Sequence, residues 1–486
     1  MNSYFGDVWL VRLLLQRGLA ALFLIAFISA LNQFKALLGE QGLLPVPRFV
    51  DPSRRWDAPS IFNWHYSDRL LEVVAWIGIL LSLAALSGLA EAGSFWLCAG
   101  TWLILWLLYL SIVNVGQTFY AFGWESMLLE AGFFAAFTGP AHSEANLIPV
   151  LILRWMLFRT EVGAGLIKLR HDQCWRDFTC LFYHYETQPL PNPLSWYFHR
   201  IPKILHRFAV LFSHFVQIIV PFGLFAPQPV SSIAGSLTIF HQLWLNVSGN
   251  YSWLNWLTVV LGFAAYSDAT LKLVLPLTIP QVVPNASFVV GVLYGLAVAV
   301  VLLSIRPVLN LFSKHQLMNY SYNRFHLINT YGAFGSVTKK RYEIIIECTD
   351  EPAITPSTRW QEYEFKAKPG DPNRMPPQVA PYHLRLDWLM WFLPFSVLVG
   401  NKRIQVPGYE IWFLRLVQRL LQGDKPTIKL LKRSPLQDRR PTFVRALFYL
   451  YRYTTPQEKR ASGAWWTRSL IDIYLPAVSL NQLRDI

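Results

Sequence analysis

A helix that crosses a bilayer needs about 20 mostly apolar residues, and this chain supplies such stretches repeatedly before residue 306. They fall at 13–31, 70–90, 95–114, 118–138, 147–168, 207–227, 231–247, 252–266 and 287–305. In hydrocarbon a chain must satisfy its own backbone donors and acceptors, which a helix does within one segment. The pattern therefore dictates a polytopic α-helical membrane bundle of about eight or nine spans over residues 1–306. Composition points the same way, since 53 % of residues are apolar and 15 % charged, against about 25 % charged in soluble domains. Two segments are weaker. Residues 118–138 hold Glu125 and Glu130, and 252–266 is short enough to be re-entrant. The first segment is expected to be a retained anchor, because Arg12 and Arg17 lie close to it and no small-x-small cleavage site follows.

Beyond Arg306 the composition becomes soluble-like, and 307–486 reads as a soluble α+β domain. Tyr342–Glu347 and Phe443–Tyr453 read as strands. Glu362–Lys368 alternates polar and apolar residues, as a half-buried strand does. Glu410–Gln422 carries apolar residues at helical spacing, and 369–372 is a turn. The net charge of +14 is a match for anionic lipid headgroups, and a polytopic chain argues against nucleic acid as the partner.

Residues 165–193 follow an apolar segment directly, yet hold two His, two Cys, paired Arg and Asp, and a Pro-rich exit. That is the content of a structured surface loop, 169–206. Cys174 and Cys180 allow three readings: a local disulfide in an oxidising compartment, two buried thiols, or a zinc-type set with His171 and His184 at imperfect spacing. In the fifth apolar segment Arg154, Glu161 and Lys168 are seven apart, so they share one helical face about 10 Å apart along the axis, with Arg159 nearby. Charges at membrane depth are costly and call for partners. Glu161 is therefore expected to face inward and pair with an Arg or Lys, and Glu125 and Glu130 are candidate partners for the cations. His214, Gln217 and His241 read as polar groups hydrogen-bonded inside a bundle. There is no nucleophile elbow, P-loop, dinucleotide fingerprint or C-x-x-C.

The run from Cys174 to Pro193, with C-W-R-D-x-T-C and Y-H-Y-E-T-Q-P-x-P-N-P, resembles the signature of the lipase maturation factor family of multi-pass membrane proteins. V-S-G-N-Y-S-W-L-N-W-L-T (247–258), F-G-S-V-T-K-K-R-Y-E (334–343), W-Q-E-Y-E-F-K-A-K-P-G-D-P (360–372) and P-Y-H-L-R-L-D-W-L-M-W-F (381–392) are similar to the same family. The resemblance implies a folding and assembly factor, chaperone-like and not a metabolic enzyme, with no cofactor. It implies two partners, a secreted lipase-like client and the lipid bilayer. The implied location is the endoplasmic reticulum membrane in a eukaryote, or the cytoplasmic membrane in a bacterial relative. Trp175, Tyr185, Trp360, Trp388 and Trp391 are the aromatic candidates for client binding, since binding energy concentrates in such residues. Packing of the chain's own core is the alternative use for them.

Nine spans put the loop 32–69, the loop 169–206 and the C-terminal region on one side. Lys35, Arg48, Arg54, Arg55, Arg170, Arg176, Arg200 and Lys203 lie in those loops, so the positive-inside rule favours the cytoplasm. The resemblance implies the opposite, an outward-facing C-terminal domain. We side with the resemblance, because long domains follow the charge rule poorly. A fainter likeness concerns G-A-G-L-I-K-L (163–169), which is similar to the segment of the vitamin K-dependent gamma-carboxylase membrane domain that carries its catalytic lysine. Lys168 falls on that lysine. This implies the alternative function, an integral-membrane enzyme acting on a lipid- or quinone-like substrate, with Lys168 as base and Glu161 beside it.

Overall fold

The structure is a computed structural model and describes residues 2–483 except 52, 54, 55, 401, 402 and 438. Arg54 and Arg55, counted above among the loop charges, lie outside the described residues. Among those residues helices form on each of the nine segments: α1 (Trp9–Leu38), α2 (Asp68–Ser87), α3 (Phe95–Asn114), α4 (Gly123–Ala135), α5 (Leu147–Arg170), α6 (Lys203–His214), α7 (Val230–Ser248), α8 (Leu254–Gly262) and α9 (Ser287–Phe312). Ser67, Ser94 and Asn146 cap α2, α3 and α5, each side-chain oxygen accepting a backbone N–H of the first turn.

Among the described residues five stretches are long and apolar enough to cross a membrane: α1, α2, α3, the run Lys203–Gly223 that α6 opens, and α9. The expectation of eight or nine spans is therefore met by length and apolarity only in part. The reasons are physical. α4 has 13 residues, about 20 Å at 1.5 Å per residue. α8 with its following turn is a shorter apolar rod, Leu254–Ala265. α5 carries Arg154, Arg159, Glu161 and Lys168, and α7 buries Ser232, Thr238, His241, Gln242 and Asn246.

Helix α1 defines the two ends of the bundle. At its start Arg12 donates to the carbonyls of Ser143 and Ala141 at 3.0 and 3.1 Å. Near its end Gln33 donates to the carbonyl of His383 at 2.6 Å. α2 runs back beside it, from Asp68 near Lys35 to Ala85, whose carbonyl accepts from Arg17 at 2.8 Å. α2 stops at Gly88, whose φ of +91° is left-handed and open to glycine without strain. There the Arg17 guanidinium lies 2.6 Å from where a Cβ would stand.

The C-terminal region follows α9, which runs on past residue 306 to Phe312. It contains β1 (Arg341–Thr349), β2 (Gln361–Glu362), α10 (Arg385–Phe392), a hairpin of β3 (Leu398–Gly400) and β4 (Arg403–Gln405), α11 (Ile411–Gln422), β5 (Phe443–Tyr453) and β6 (Trp466–Val478). The main sheet is antiparallel in the order β2-β1-β5-β6. Of the expected strand 362–368 only Glu362 is strand. The N–H groups of Ala367 and Lys368 donate to the Asp387 carboxylate at 2.6 and 3.0 Å, so this backbone is held by a side chain and not by a ladder.

One continuous apolar core joins the bundle to this region and includes Phe119, Trp124, Trp253, Leu386, Trp388 and Trp412. Arg385 of α10 is fully buried in the seam. Its guanidinium donates to Glu125 of α4 at 2.7 Å and to the Phe119 carbonyl at 2.8 Å, and lies 3.4 Å from the Tyr120 ring centre. The α+β region is thus welded onto one end of the bundle.

Candidate functional site

The motif loop lies at that end. It folds into three short helices, Gln173–Arg176, Leu181–Thr187 and Ser195–Arg200. Pro189, Pro191 and Pro193 bring carbonyls but no N–H, so donors must come from elsewhere. Arg341 of β1 donates to the carbonyls of Glu186, Gln188 and Pro189 at 3.0, 2.5 and 3.1 Å. Asn250 donates to Pro191 and Pro377 at 3.1 and 2.9 Å. The Gln188 amide donates to Ser195 Oγ at 2.7 Å and to the Ser248 carbonyl at the end of α7 at 3.0 Å, while its oxygen accepts from Tyr251 at 2.5 Å. Trp196 and Arg200 donate to the Thr454 carbonyl at 2.9 and 2.6 Å. The residues of Y-H-Y-E-T-Q-P-x-P-N-P tie the bundle, the loop and the sheet into one body.

Cys174 and Cys180 are bonded to each other, with Cα atoms 4.9 Å apart. His184 lies 2.9 Å from the Tyr251 hydroxyl through Nε2, and His171 Nδ1 lies 3.2 Å from the Ile167 carbonyl. Among the described residues no three His, Cys, Asp or Glu side chains gather as metal ligands. Burial, with help from the Lys168 cation, pushes His184 down to about 4, so its ring is neutral at pH 7.

The charged face of α5 is buried at Arg154, Arg159, Glu161 and Lys168. Its partners divide in two. Arg159 pairs with Glu130 of α4, and Arg154 donates to the carbonyls of Ala264 and Leu224. Glu161 faces inward, but its expected cation is absent among the described residues. Its Oε1 accepts from the Gln242 amide of α7 at 2.6 Å. Lys168 likewise meets neutral groups, Gln217 Oε1 at 2.6 Å and Ser213 Oγ at 3.5 Å, with the Trp175 ring centre 4.8 Å away.

Local backbone chemistry sets this arrangement. Pro221 cannot donate to the carbonyl of Gln217, and the run 215–219 just before it is a π turn. That turn aims Gln217 at α5. Gly165 lets this turn come close, since a Cβ there would stand 2.7 Å from Ile218 and 3.2 Å from the Gln217 carbonyl. Gly163, on the other side of α5, does the same for the Tyr331 carbonyl, 2.2 Å from a Cβ. The two glycines of the G-A-G-L-I-K-L segment therefore have packing roles. Beside Lys168 lies a cavity of about 350 Å³, bounded by α6, α7, α8 and the motif loop.

The aromatic candidates separate. Trp175 and Tyr185 wall that cavity and are 4 % and 2 % exposed. Trp388 is 4 % exposed and packs on Trp124, ring centres 4.9 Å apart. Trp360 lies elsewhere, half-buried beneath Arg445 at 4.1 Å. Trp391 is half-buried and anchored through its indole N–H to the Thr187 carbonyl at 3.0 Å. It lines adjoining hollows of about 540 and 240 Å³ together with Phe395 and Thr338. Phe395 is 49 % exposed, and Phe392, 43 % exposed, lines a further hollow of about 390 Å³ with Trp391 and Phe395. Sequence reasoning missed them, although Trp388, Trp391, Phe392 and Phe395 stand at i, i+3, i+4 and i+7.

Two family descriptions match the chain: the lipase maturation factor transmembrane domain over residues 10–273 and the lipase maturation factor C-terminal domain over residues 327–476. Lipase maturation factor 1 of Mus musculus is 41 % identical over 99 % of this chain and 89 % of its own length. Its Homo sapiens counterpart is also 41 % identical over the same shares. Lipase maturation factor 2 of Homo sapiens is 29 % identical over 97 % of this chain and 83 % of its own length. No solved structure matches. With both of its parts matched in order and its whole length aligned, this chain is an integral membrane protein that belongs to the lipase maturation factor family.

Proposed function

We propose that the chain is a membrane-bound maturation factor that assists the folding or assembly of secreted lipases or similar exported clients. The observation that carries this reading is the 41 % identity to a lipase maturation factor over 99 % of the chain. It belongs at the endoplasmic reticulum membrane if its host is a eukaryote, and at the cytoplasmic membrane if a bacterium. The alternative of an enzyme with Lys168 as base has no support from the relatives and is not carried further.

The docking surface we assign to a partly folded client is the groove of Trp391 and Phe395, with Lys339 and Lys340 on its rim. Exposed aromatics on an anchored frame fit that role, since rigid aromatic anchors carry most binding energy. Trp175, Tyr185 and Trp388 are too buried to meet a client without unpacking the protein. We place the loop 169–206 and residues 307–486 together on the extracytoplasmic side. The Arg341 bonds to the loop support a shared side. We further assign crossings to α4, α5, α7 and α8, completing nine spans. The alternating direction of successive helices supports this, and the charges of α5 would then sit inside protein and away from lipid.

The test is secretion of an active lipase from cells that lack their own factor. The chain should restore active enzyme, and Trp391→Ala with Phe395→Ala should lower it while the protein's own level is unchanged. No restoration by the intact chain would defeat the reading. Cysteine labelling at Tyr197 and Gln437, both exposed, tests the sides, and modification of the two from opposite faces of the membrane would defeat the topology.

A further inference from the structure

The cavity beside Lys168 has one polar end and one apolar mouth. The polar end holds Lys168, Ser213, His241 and Asn255. The mouth lies between α6 and α7, where Phe208 and Phe240 are 59 % and 57 % exposed. Along the run Lys203–Gly223 the exposed residues Ile204, Phe208, Leu211, Phe215, Ile219 and Phe222 follow helical spacing and form one apolar stripe. The mouth opens within that stripe, so whatever enters comes from the hydrocarbon and not from water.

The polar end lacks acceptors. An ammonium offers three N–H donors, and besides the Trp175 ring face Lys168 has two oxygen acceptors, Gln217 Oε1 at 2.6 Å and Ser213 Oγ at a long 3.5 Å. Asn255, 3 % exposed, has an amide nitrogen with no partner, and His241, also 3 % exposed, has an Nδ1 with none. Among the described residues no carboxylate lies in salt-bridge reach of Lys168. Glu161 is seven residues back on the same helix, about 10 Å along its axis, and is held by Gln242. An unpaired buried cation and an idle amide donor call for a small anionic acceptor. The volume of about 350 Å³ is near the low end of small-ligand sites, about 300–1,000 Å³. That suits one chain with a compact head better than a two-chain phospholipid.

We propose that this cavity binds a single-chain carboxylate amphiphile, a long-chain fatty acid. The carboxylate sits on Lys168 and Asn255, and the chain leaves between α6 and α7. The site is one of binding and involves no covalent step.

The test uses the full chain in nanodiscs of neutral phosphatidylcholine, titrated with radiolabelled oleate and, separately, with a photoreactive fatty acid. Oleate should bind saturably, and the photoprobe should label α6 and α7 peptides that line the cavity. Lys168→Met should weaken oleate binding roughly tenfold or more, as the loss of a hydrogen bond to a charged group does. Ala209→Trp, which fills the cavity from its wall, should abolish site labelling, and it carries the test if Lys168→Met fails to fold. Oleyl alcohol competing as well as oleate would overturn the proposal. So would a co-purifying two-chain phospholipid in the site, or labelling spread evenly over the lipid-facing helices.

Discussion

Helices α4 and α5 both bury charge in the same bundle, but they treat it differently. Glu125 and Glu130 of α4 are saturated. Glu125 receives Arg385 and the Tyr109 hydroxyl. Glu130 receives Arg159, the Tyr331 hydroxyl at 2.7 Å and two donors of Asn329 at 2.8 and 2.9 Å. Tyr109 and Arg159 are bundle residues, but Arg385, Asn329 and Tyr331 come from segments that follow the bundle in sequence, so these carboxylates also fasten the C-terminal region down. Glu161 and Lys168 of α5 meet neutral groups, the Gln242 amide of α7, Gln217 and Ser213 of the run Lys203–Gly223, and the Trp175 ring. Full ion pairs mark where the fold is welded. Charges with neutral partners mark where it leaves room.

The largest effect should come from breaking a weld. Removing one partner of a buried pair typically costs about 3–5 kcal/mol, because the other charge is stranded. Glu125→Gln strands Arg385, which has no water to turn to, and should depress the thermal midpoint of the detergent-solubilised protein strongly. The pair Glu125→Gln with Arg385→Met should cost less than the sum of the two single changes. A single change that lowers the midpoint by no more than a surface substitution would show that the seam is held by packing alone.

Acid should attack the same seam. Burial, reinforced by Arg385, pushes His383 down to about 3, and burial pushes His184 down to about 4. An unfolded histidine titrates near 6.5, so below that pH the unfolded chain binds the proton more readily. The stability these neutral rings represent is complete above about pH 6.5 and is lost as pH falls towards the folded values, by at most about 1.4 kcal/mol per pH unit for each ring. Melting at pH 7 and pH 5 checks this. His383→Gln should flatten the slope, and an unchanged slope would mean that other groups govern it.

Gly163 and Gly165 should show a middling effect. Gly163→Ala puts a methyl group 2.2 Å from the Tyr331 carbonyl, and Gly165→Ala puts one 2.7 Å from Ile218. Overpacking of this kind costs about 1–3 kcal/mol. Backbone yields less easily than a flexible side chain, so Gly163→Ala should be the worse of the two in a thermal-shift series. The reverse order would mean that the contact with the π turn 215–219, which aims Gln217 at Lys168, is the tighter one.

What the sequence made legible follows from what is local. Apolar length placed helices on all nine segments, and the aromatic-rich run Phe443–Tyr453 is β5 itself. β6 escaped notice because Trp466–Val478 holds Arg468, Asp472 and Pro476. A proline is tolerated there since β6 ends the sheet order. Its ladder with β5 shifts register near Leu475 and Val478. The motif loop was legible as a structured surface. Its partners were not, because Arg341 reaches it from 152 to 155 positions away. The same holds for Glu125, whose cation lies 260 positions on. Helical spacing put Arg154, Glu161 and Lys168 on one face, but spacing says nothing of what that face meets. The expected partner of Glu161 was wrong for that reason.

The smallest effect should come from Glu161→Gln. The change keeps the shape, and the new amide oxygen can still accept from Gln242. The second oxygen of Glu161 has no partner to lose. A buried carboxylate held by a neutral amide, with no cation in salt-bridge reach among the described residues, gains little from its charge. Glu161→Gln should therefore shift stability by less than about 1 kcal/mol, against the several expected for the same change at Glu125. Measuring both in one thermal series sets the two helices side by side. Equal and large losses would mean that Glu161 works as a charge inside the bundle, and the contrast between α4 and α5 would fail. A loss at Glu125 alone separates the carboxylate that holds the fold from the one that merely lies near its cavity.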